Sequence, residues 1–386
     1  ARSSGGRKVV SSNLASPTKE TENNMLLKKR GALTIQRIKD LWAHGYIKSE
    51  KTLDDGQIQP ASLDLRLSNK CWQISASFLP GKNKTVNQKL TTLSTKEIDL
   101  EEGRLLEKGC IYIVELQEKL ELPEGLSGIA NAKSSTGRLD ILTRLLTDNS
   151  NCFDRISAGY KGKLYVEIAP ISFSIIIKSG ITLNQLRFHY HQNILSDEVL
   201  NTLNRNNSIV EDKSQIDNGV TISVDLKVRG SKPAGYKAKK DGPPVNLSKL
   251  NCHNVEDYWD RVTTTDGSII LEPGAFYILR SREYVVIPSH LAAEMVPYEV
   301  KMGEFRVHYA GFFDPGFGLQ IDSEKEKSKA VLEIRCHETP FILEDKQVIG
   351  KLIYETLTEE PLEVYGKKIK SNYQGQGLKL SKHFTC

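Results

Sequence analysis

Three short segments occur twice in this chain, in the same order and at a nearly constant distance. SLDLRL (62–67) returns as SVDLKV (223–228), LLEKGCIYIV (105–114) as ILEPGAFYIL (270–279), and YVEIAP (165–170) as VLEIRC (331–336). Asp64 and Asp225 are 161 residues apart, Gly109 and Gly274 are 165 apart, and Glu167 and Glu333 are 166 apart. Chance does not hold a shift so steady over about 100 residues, so the pattern predicts a duplicated domain.

The repeated unit reads as β. ASLDLRL (61–67), CIYIVEL (110–116), KLYVEIA (163–169) and FSIIIKS (173–179) are short apolar or alternating runs separated by Gly- and Pro-containing turns. That pattern predicts strands of an antiparallel barrel or sandwich. Two helices interrupt it. One is expected over 34–46, where Ile35, Ile38, Leu41, Trp42 and Tyr46 recur at helical spacing; the other over 196–205, with Ser196 as cap and Val199, Leu200 and Leu203 as its stripe. The expected organisation is an arm at 1–30, a first repeat at 31–192, a linker helix at 193–215, a second repeat at 216–366 and a tail at 367–386. Residues 1–25, rich in Ser, Gly and Asn, read as a disordered arm or a cloning remnant. Glu20 and Glu22 argue against a transit peptide.

Composition narrows the function. The 386 residues carry a net charge of +5, mild and scattered, which suits an anionic small molecule better than nucleic acid. The lysine-rich stretch 227–251 reads as a solvated loop. The longest apolar run, near Ile175–Ile177, is broken well short of the ~20 residues a spanning helix needs, so no membrane partner is expected. Six dispersed cysteines with no C-x-x-C pair indicate reduced thiols in a cytoplasmic protein, without a zinc site or disulfide framework. Neither H-E-x-x-H nor the paired motif of zinc deaminases is present.

One stretch stands out chemically: NAKSSTGRLD (131–140) sets two adjacent serines, a glycine, Lys133 and Arg138 between strand-like runs. It could be a turn, since hydroxyls bond locally to backbone and Gly tolerates positive φ. It could equally be a phosphate seat, with N–H groups and hydroxyls aimed at an anion that the two cations neutralise.

Five segments carry a family resemblance: IQPASLDLRL (58–67), KSSTGRL (133–139), GYKGKLYVEI (159–168), SGITLNQLRF (179–188) and NYQGQG (372–377). In this order they resemble the dCTP deaminases, relatives of the trimeric dUTPases, and the doubled length resembles the tandem, two-repeat bacterial form. The resemblance implies duplicated dUTPase-like distorted β-barrel domains, and hydrolytic deamination of dCTP to dUTP and ammonia by a glutamate-activated water, without zinc. It implies Lys133, Ser134 and Ser135 as triphosphate contacts and Ser134 as holder of the attacking water. Arg138 is then the cation that keeps the catalytic glutamate ionised and oriented. It also implies Mg²⁺ carried on the triphosphate, dTTP as an inhibitor, and a homo-oligomer such as a trimer of two-repeat chains.

The catalytic glutamate is either Glu167 or Glu333, and each repeat departs from the family pattern. In the first, Ser157 and Ala158 replace Asp-Pro before Gly159. The second keeps Ala310 and Asp314 in AGFFDPGFG (310–318), which resembles the sugar- and base-binding hairpin, but has YEVKMGEFR (298–306) where the Ser-Ser motif belongs. Hence two arrangements are expected: a composite site with Ser134 and Arg138 facing Asp314 and Glu333, or a site using Glu167 on its own side. Without the resemblance, either glutamate reads as a solvent-facing edge-strand residue. Tyr365, Asn372 and Gln376 match nucleotide-covering tail positions, although Asn372 stands where a lysine is usual. A bifunctional enzyme releasing dUMP and a non-catalytic nucleotide sensor are the competing expectations.

Overall fold

The computed structural model describes residues 30–385 apart from 208, 211–215, 231, 298–304, 308–310, 320–327 and 367–372. The expected arm at 1–25, Ala310, Asn372 and most of the 298–306 segment lie outside the described residues.

The chain is mainly β, as its apolar alternation predicts. The strands that matter for the site are β1 (Leu63–Ile74), β2 (Ile111–Glu121), β3 (Leu126–Ala132), β4 (Ile141–Thr147), β5 (Lys161–Pro170) and β6 (Thr182–Tyr190) in the N-terminal half. Those of the C-terminal half are β7 (Val220–Ser223), β8 (Phe276–Tyr284), β9 (Leu291–Pro297), β10 (Phe312–Phe313), β11 (Lys329–Cys336) and β12 (Val348–Thr356). The N-terminal strands form a ten-stranded, barrel-like sheet with the path β4-β5-β2-β1-β6-β3. In the C-terminal half β7-β12-β9-β10 form one sheet, while β8 and β11 are neighbours in another.

The two halves build one strand pair alike. Ile113 faces Glu167 across β2 and β5, as Ile278 faces Glu333 across β8 and β11. The Glu107 N–H donates to Tyr112 Oη, and the Glu272 N–H to Tyr277 Oη, each at 3.0 Å. Both glutamates are buried inside their sheets, so neither is the solvent-facing edge residue that local pattern suggests. The reason is topological: β5 is flanked by β2 and β4, and β11 by β8 and the strand Phe305–Val307.

The helices lie close to where periodicity places them. α1 (Ile35–Ala43) buries Ile35, Ile38 and Leu41. In the later helix, Asp197–Asn207, Leu200 is fully buried while Val199 is exposed, so the stripe is narrower than expected. The stretch 227–251 is not simply a solvated loop. Gly235–Ala238 and Val245–Asn246 are strands, and Val245 and Leu247 are buried because Ile175–Ile177 pairs with Val245–Asn246 in parallel.

Two contacts lock the halves together. Phe173 meets Trp259 and Tyr258 edge-on at 5.5 Å, and Phe384 from the tail joins them at 5.8 and 5.2 Å. Burying one such side chain stabilises by about 1.5–3 kcal/mol, enough to anchor the end of the tail. The second contact is ionic. Fully buried Arg187 on β6 reaches Glu355 on β12 at 2.9 Å and Asp314 at 3.4 Å, and His189 Nε2 lies 2.9 Å from Glu355 Oε2. Burial alone would raise Glu355, but hydrogen bonds and charge from His189 and Arg187 hold it down at about 2.

No helix among the described residues is long and apolar enough to cross a membrane.

Candidate functional site

β3 delivers the chain to the Ser-Ser segment. Its pairing with β6 continues one step past Ala132, where the Lys133 N–H donates to the Leu183 carbonyl at 2.9 Å. The chain then tightens into α2 (Ser134–Gly137), a single turn. Thr136 Oγ1 donates to the Leu183 carbonyl at 2.9 Å, and the Arg138 N–H bonds the Ser134 carbonyl at 3.1 Å. The segment is thus a turn in its backbone geometry, as the local chemistry of Ser, Thr and Gly predicts.

The far end of the turn is held by the other half. Asp140 adopts φ 57°, which a short polar side chain tolerates. Its carboxylate accepts from Ser172 Oγ at 2.6 Å and pairs with Arg335. Arg335 is two residues beyond Glu333 on β11, so the clamp fixes the glutamate-bearing strand against the Ser-Ser turn.

From the C-terminal half comes the segment Asp314-Pro-Gly-Phe-Gly. A side chain at Gly318, φ +73°, would put its Cβ 1.9 Å from the Val285 carbonyl oxygen, and one at Gly316, φ +94°, would strike Val364 at 2.9 Å. Only glycine lets the hairpin turn this tightly under Tyr365, whose N–H bonds the Pro315 carbonyl at 2.8 Å.

One cavity collects Lys133, Ser134, Ser135 and Arg138 from the first half with Asp314, Glu333, Tyr365 and Gln376 from the second. Glu167 does not line it. Its carboxylate accepts from Arg144 Nε at 2.9 Å on a different part of the sheet.

Arg138 is the hub. Its Nη1 donates to the Lys379 carbonyl and its Nη2 to Gln376 Oε1, both at 3.0 Å, and its guanidinium lies 3.9 Å above the Tyr373 ring. Its Nε, 3.8 Å from Glu333 Oε1, has no hydrogen-bond partner among the described residues. Burial pushes the Glu333 carboxyl up to about 8, against the pull of Arg138. Arg138 pulls in the expected direction, but at 3.8 Å without a hydrogen bond one cation does not offset full desolvation. Asp314 is likewise raised by burial, with Arg187 pulling the other way.

The cavity also carries a cationic cluster. Lys133 Nζ pairs with Asp64 and donates to Thr182 Oγ1 at 3.0 Å. Lys382, another lining residue, is lowered first by burial and then by repulsion from Lys133. Two crowded ammonium groups with one carboxylate favour an added anion. Phe312, Phe313, Phe317, Val331 and Met295 supply apolar wall, with the Phe313 and Phe317 rings edge-on at 5.0 Å.

Sequence reasoning missed Lys382, Tyr373 and Gln185. Lys382 and Tyr373 sit in a polar, Gly-containing tail without strand or helix periodicity. The aromatic and apolar residues interleaved in LKLSKHF (378–384) were the available signal.

Comparison with known proteins agrees with this architecture. The N-terminal domain model of 2'-deoxycytidine 5'-triphosphate deaminase (DCD) matches residues 29–193, and the C-terminal domain model matches 196–384. The crystal structure of 2'-deoxycytidine 5'-triphosphate deaminase from Agrobacterium tumefaciens superposes with a TM-score of 0.82 at 45% identity, covering 86% of this chain and 100% of that one. A dCTP deaminase, dUMP-forming, of Methanothermobacter thermautotrophicus is 28% identical over 159 residues, 40% of this chain and 74% of the relative. A dCTP deaminase of Alteromonas mediterranea is 29% identical over 139 residues, 33% of this chain and 68% of the relative. The chain belongs to the 2'-deoxycytidine 5'-triphosphate deaminase family.

Proposed function

We propose that the protein deaminates dCTP to dUTP and ammonia in the composite cavity, with Glu333 moving the protons. The observation that carries this is one buried carboxyl with a pKa of about 8 lying 3.8 Å from Arg138 and sharing its cavity with the Ser-Ser turn. A carboxyl poised near neutrality can give a proton and take one back.

The steps balance on that group. Neutral Glu333 donates to the cytosine ring nitrogen as water, positioned by Ser134, adds to C4. The resulting carboxylate takes the proton lost by the water and passes it to the amino group; as ammonia leaves, the C4 hydroxyl gives its proton back to Glu333, which forms the C4 carbonyl and restores the neutral carboxyl. Arg138 stabilises the transient carboxylate and is itself held by Gln376, Lys379 and Tyr373. Lys133, Ser135 and Lys382 take the phosphates, while Asp314 and Tyr365 face the sugar and base. Mg²⁺ would arrive on the triphosphate, held by phosphate oxygens; Asp64, a carboxylate beside the phosphate-binding lysine, is already paired with Lys133.

The test is incubation with dCTP and Mg²⁺, measuring ammonia and separating nucleotides by chromatography, with Glu333→Gln and Arg138→Lys in parallel. Stoichiometric dUTP, lost in Glu333→Gln, is the expected result. Binding of dCTP without ammonia release would overturn the reading in favour of a nucleotide sensor. The printed name of the Methanothermobacter relative favours one second reading, in which the product continues to dUMP and pyrophosphate. The same chromatogram distinguishes it.

A further inference from the structure

A second, larger cavity of about 950 Å³ lies on the C-terminal half; its lining residue Ser381 donates to the Ser135 carbonyl of the Ser-Ser turn at 2.8 Å, so the tail stands between the two cavities. Its charged lining is one-sided: Arg229, Lys232, Arg261, Arg280, Lys329 and Lys379, against Glu256 alone. Glu256 is taken up by Arg261 at 2.9 Å.

The cations are held together by Asp225. Its Oδ2 accepts from Arg229 Nη1 at 2.7 Å, Lys329 Nζ at 2.9 Å and Arg280 Nε at 3.1 Å, while its Oδ1 accepts the Lys227 N–H at 3.1 Å. Burial would raise Asp225, but hydrogen bonds from Arg229 and Lys329 and the charges of Lys329 and Arg280 hold it far below the carboxylate range. One carboxylate thus gathers three cations and neutralises only one. The N-terminal half shows what balance looks like at the corresponding strand positions: Lys163 pairs with Glu115 at 2.9 Å, one to one. Arg280 stands where Glu115 does, reversing the charge.

Such an excess beside water costs energy through mutual repulsion and is relieved by a multivalent anion. Arg229, half exposed, leaves guanidinium N–H groups available beyond its bond to Asp225. Tyr236, Tyr284 and Phe384 add ring surface to the wall.

We propose that this cavity is a second anion site, separate from the catalytic cavity, which takes the phosphate chain of a nucleoside triphosphate or of inorganic polyphosphate. Its floor is the tail segment Gly377–Ser381. That segment follows Gln376, which exchanges hydrogen bonds with the Lys329 backbone at 2.8 and 3.0 Å, and it includes Lys379, whose carbonyl Arg138 grips.

The experiment is calorimetric titration of the full chain with tripolyphosphate, and separately with ATP. It compares the wild type, Arg229→Glu/Lys232→Glu and Lys133→Ala. Two equivalents of tripolyphosphate per chain are expected for the wild type. The double variant should lose one, with affinity at that site falling at least tenfold, and Lys133→Ala should weaken the other. Arg229-dependent binding of both probes identifies the phosphate chain as the recognised group. Binding of ATP alone shows that the base is read as well, and binding of tripolyphosphate alone points to the inorganic chain. A single equivalent that Lys133→Ala abolishes, or binding indifferent to the double variant, overturns the proposal. Arg229→Gln/Lys232→Gln, a milder pair, serves if charge reversal prevents folding. Because the readout is heat of binding, failure of the deaminase reading leaves this test intact.

Discussion

Asp140 and Arg335 form an ion pair that crosses from the Ser-Ser turn of one half to the glutamate-bearing strand of the other. It sets the distance between Arg138 and Glu333, because Asp140 lies two residues after the first and Arg335 two after the second. Replacing Arg335 by Met should leave the cavity residues in place but release their spacing. The expected outcome is a fall in kcat of about 10–100-fold with a small change in KM, the pattern of a lost orienting contact. Steady-state kinetics on dCTP check it, and rescue in Arg335→Lys shows that the ion pair is responsible.

Glu333→Gln should lower deamination by about 10²–10⁴-fold, the usual contribution of a proton-transferring side chain. In the wild type, kcat/KM should fall as pH rises through about 8, since the neutral carboxyl starts the reaction. Stability carries the same sign. The folded pKa exceeds the ordinary 4.5, the folded state binds the extra proton, and stability is lost as pH rises from 4.5 to about 8. Urea unfolding at pH 5 and pH 9 should therefore show a smaller difference in Glu333→Gln than in the wild type.

Glu167→Gln is expected to leave turnover within a few fold of the wild type and to weaken the fold. The carboxylate is buried under Arg144, and the amide keeps shape but loses charge, at a cost of about 1–3 kcal/mol. Thermal unfolding together with the ammonia assay separates the two effects. Loss of turnover at unchanged stability would return the catalytic role to this residue.

Glu355→Gln addresses the ionic contact between the halves. Glu355 sits at about 2, well below its ordinary 4.5, so its contribution is present above 4.5 and is lost as pH falls toward 2. Acid unfolding of the wild type should include this window. The variant should be less stable at pH 7 and flatter between pH 4.5 and pH 2.

Much of this was legible in the sequence. The alternation of SLDLRL and LYVEI marked strands, and Lys133, Ser134, Ser135 and Arg138 marked the turn that lines the cavity. The choice between Glu167 and Glu333 was not legible, because it depends on which half faces the turn, and strand pairing is not written in local periodicity. Arg144, which occupies Glu167, carries no motif. The helix Val86–Leu93 was readable in retrospect from Thr85 and Gln88, which form a capping box, but its stripe of Val86 and Leu90 is too short to stand out. The buried pKa of Glu333 lay out of reach for the same reason as its location: desolvation is a property of the assembled neighbours.

Since Ser134 and Glu333 belong to one polypeptide, closing the gap between them is an intramolecular event. The effective concentration of one half near the other is set by the connecting chain and does not change on dilution. A cavity assembled in this way should therefore persist in dilute solution. Each half supplies only one wall, so a substitution that spoils Ser134 or Glu333 has no intact counterpart in the other half of the same chain.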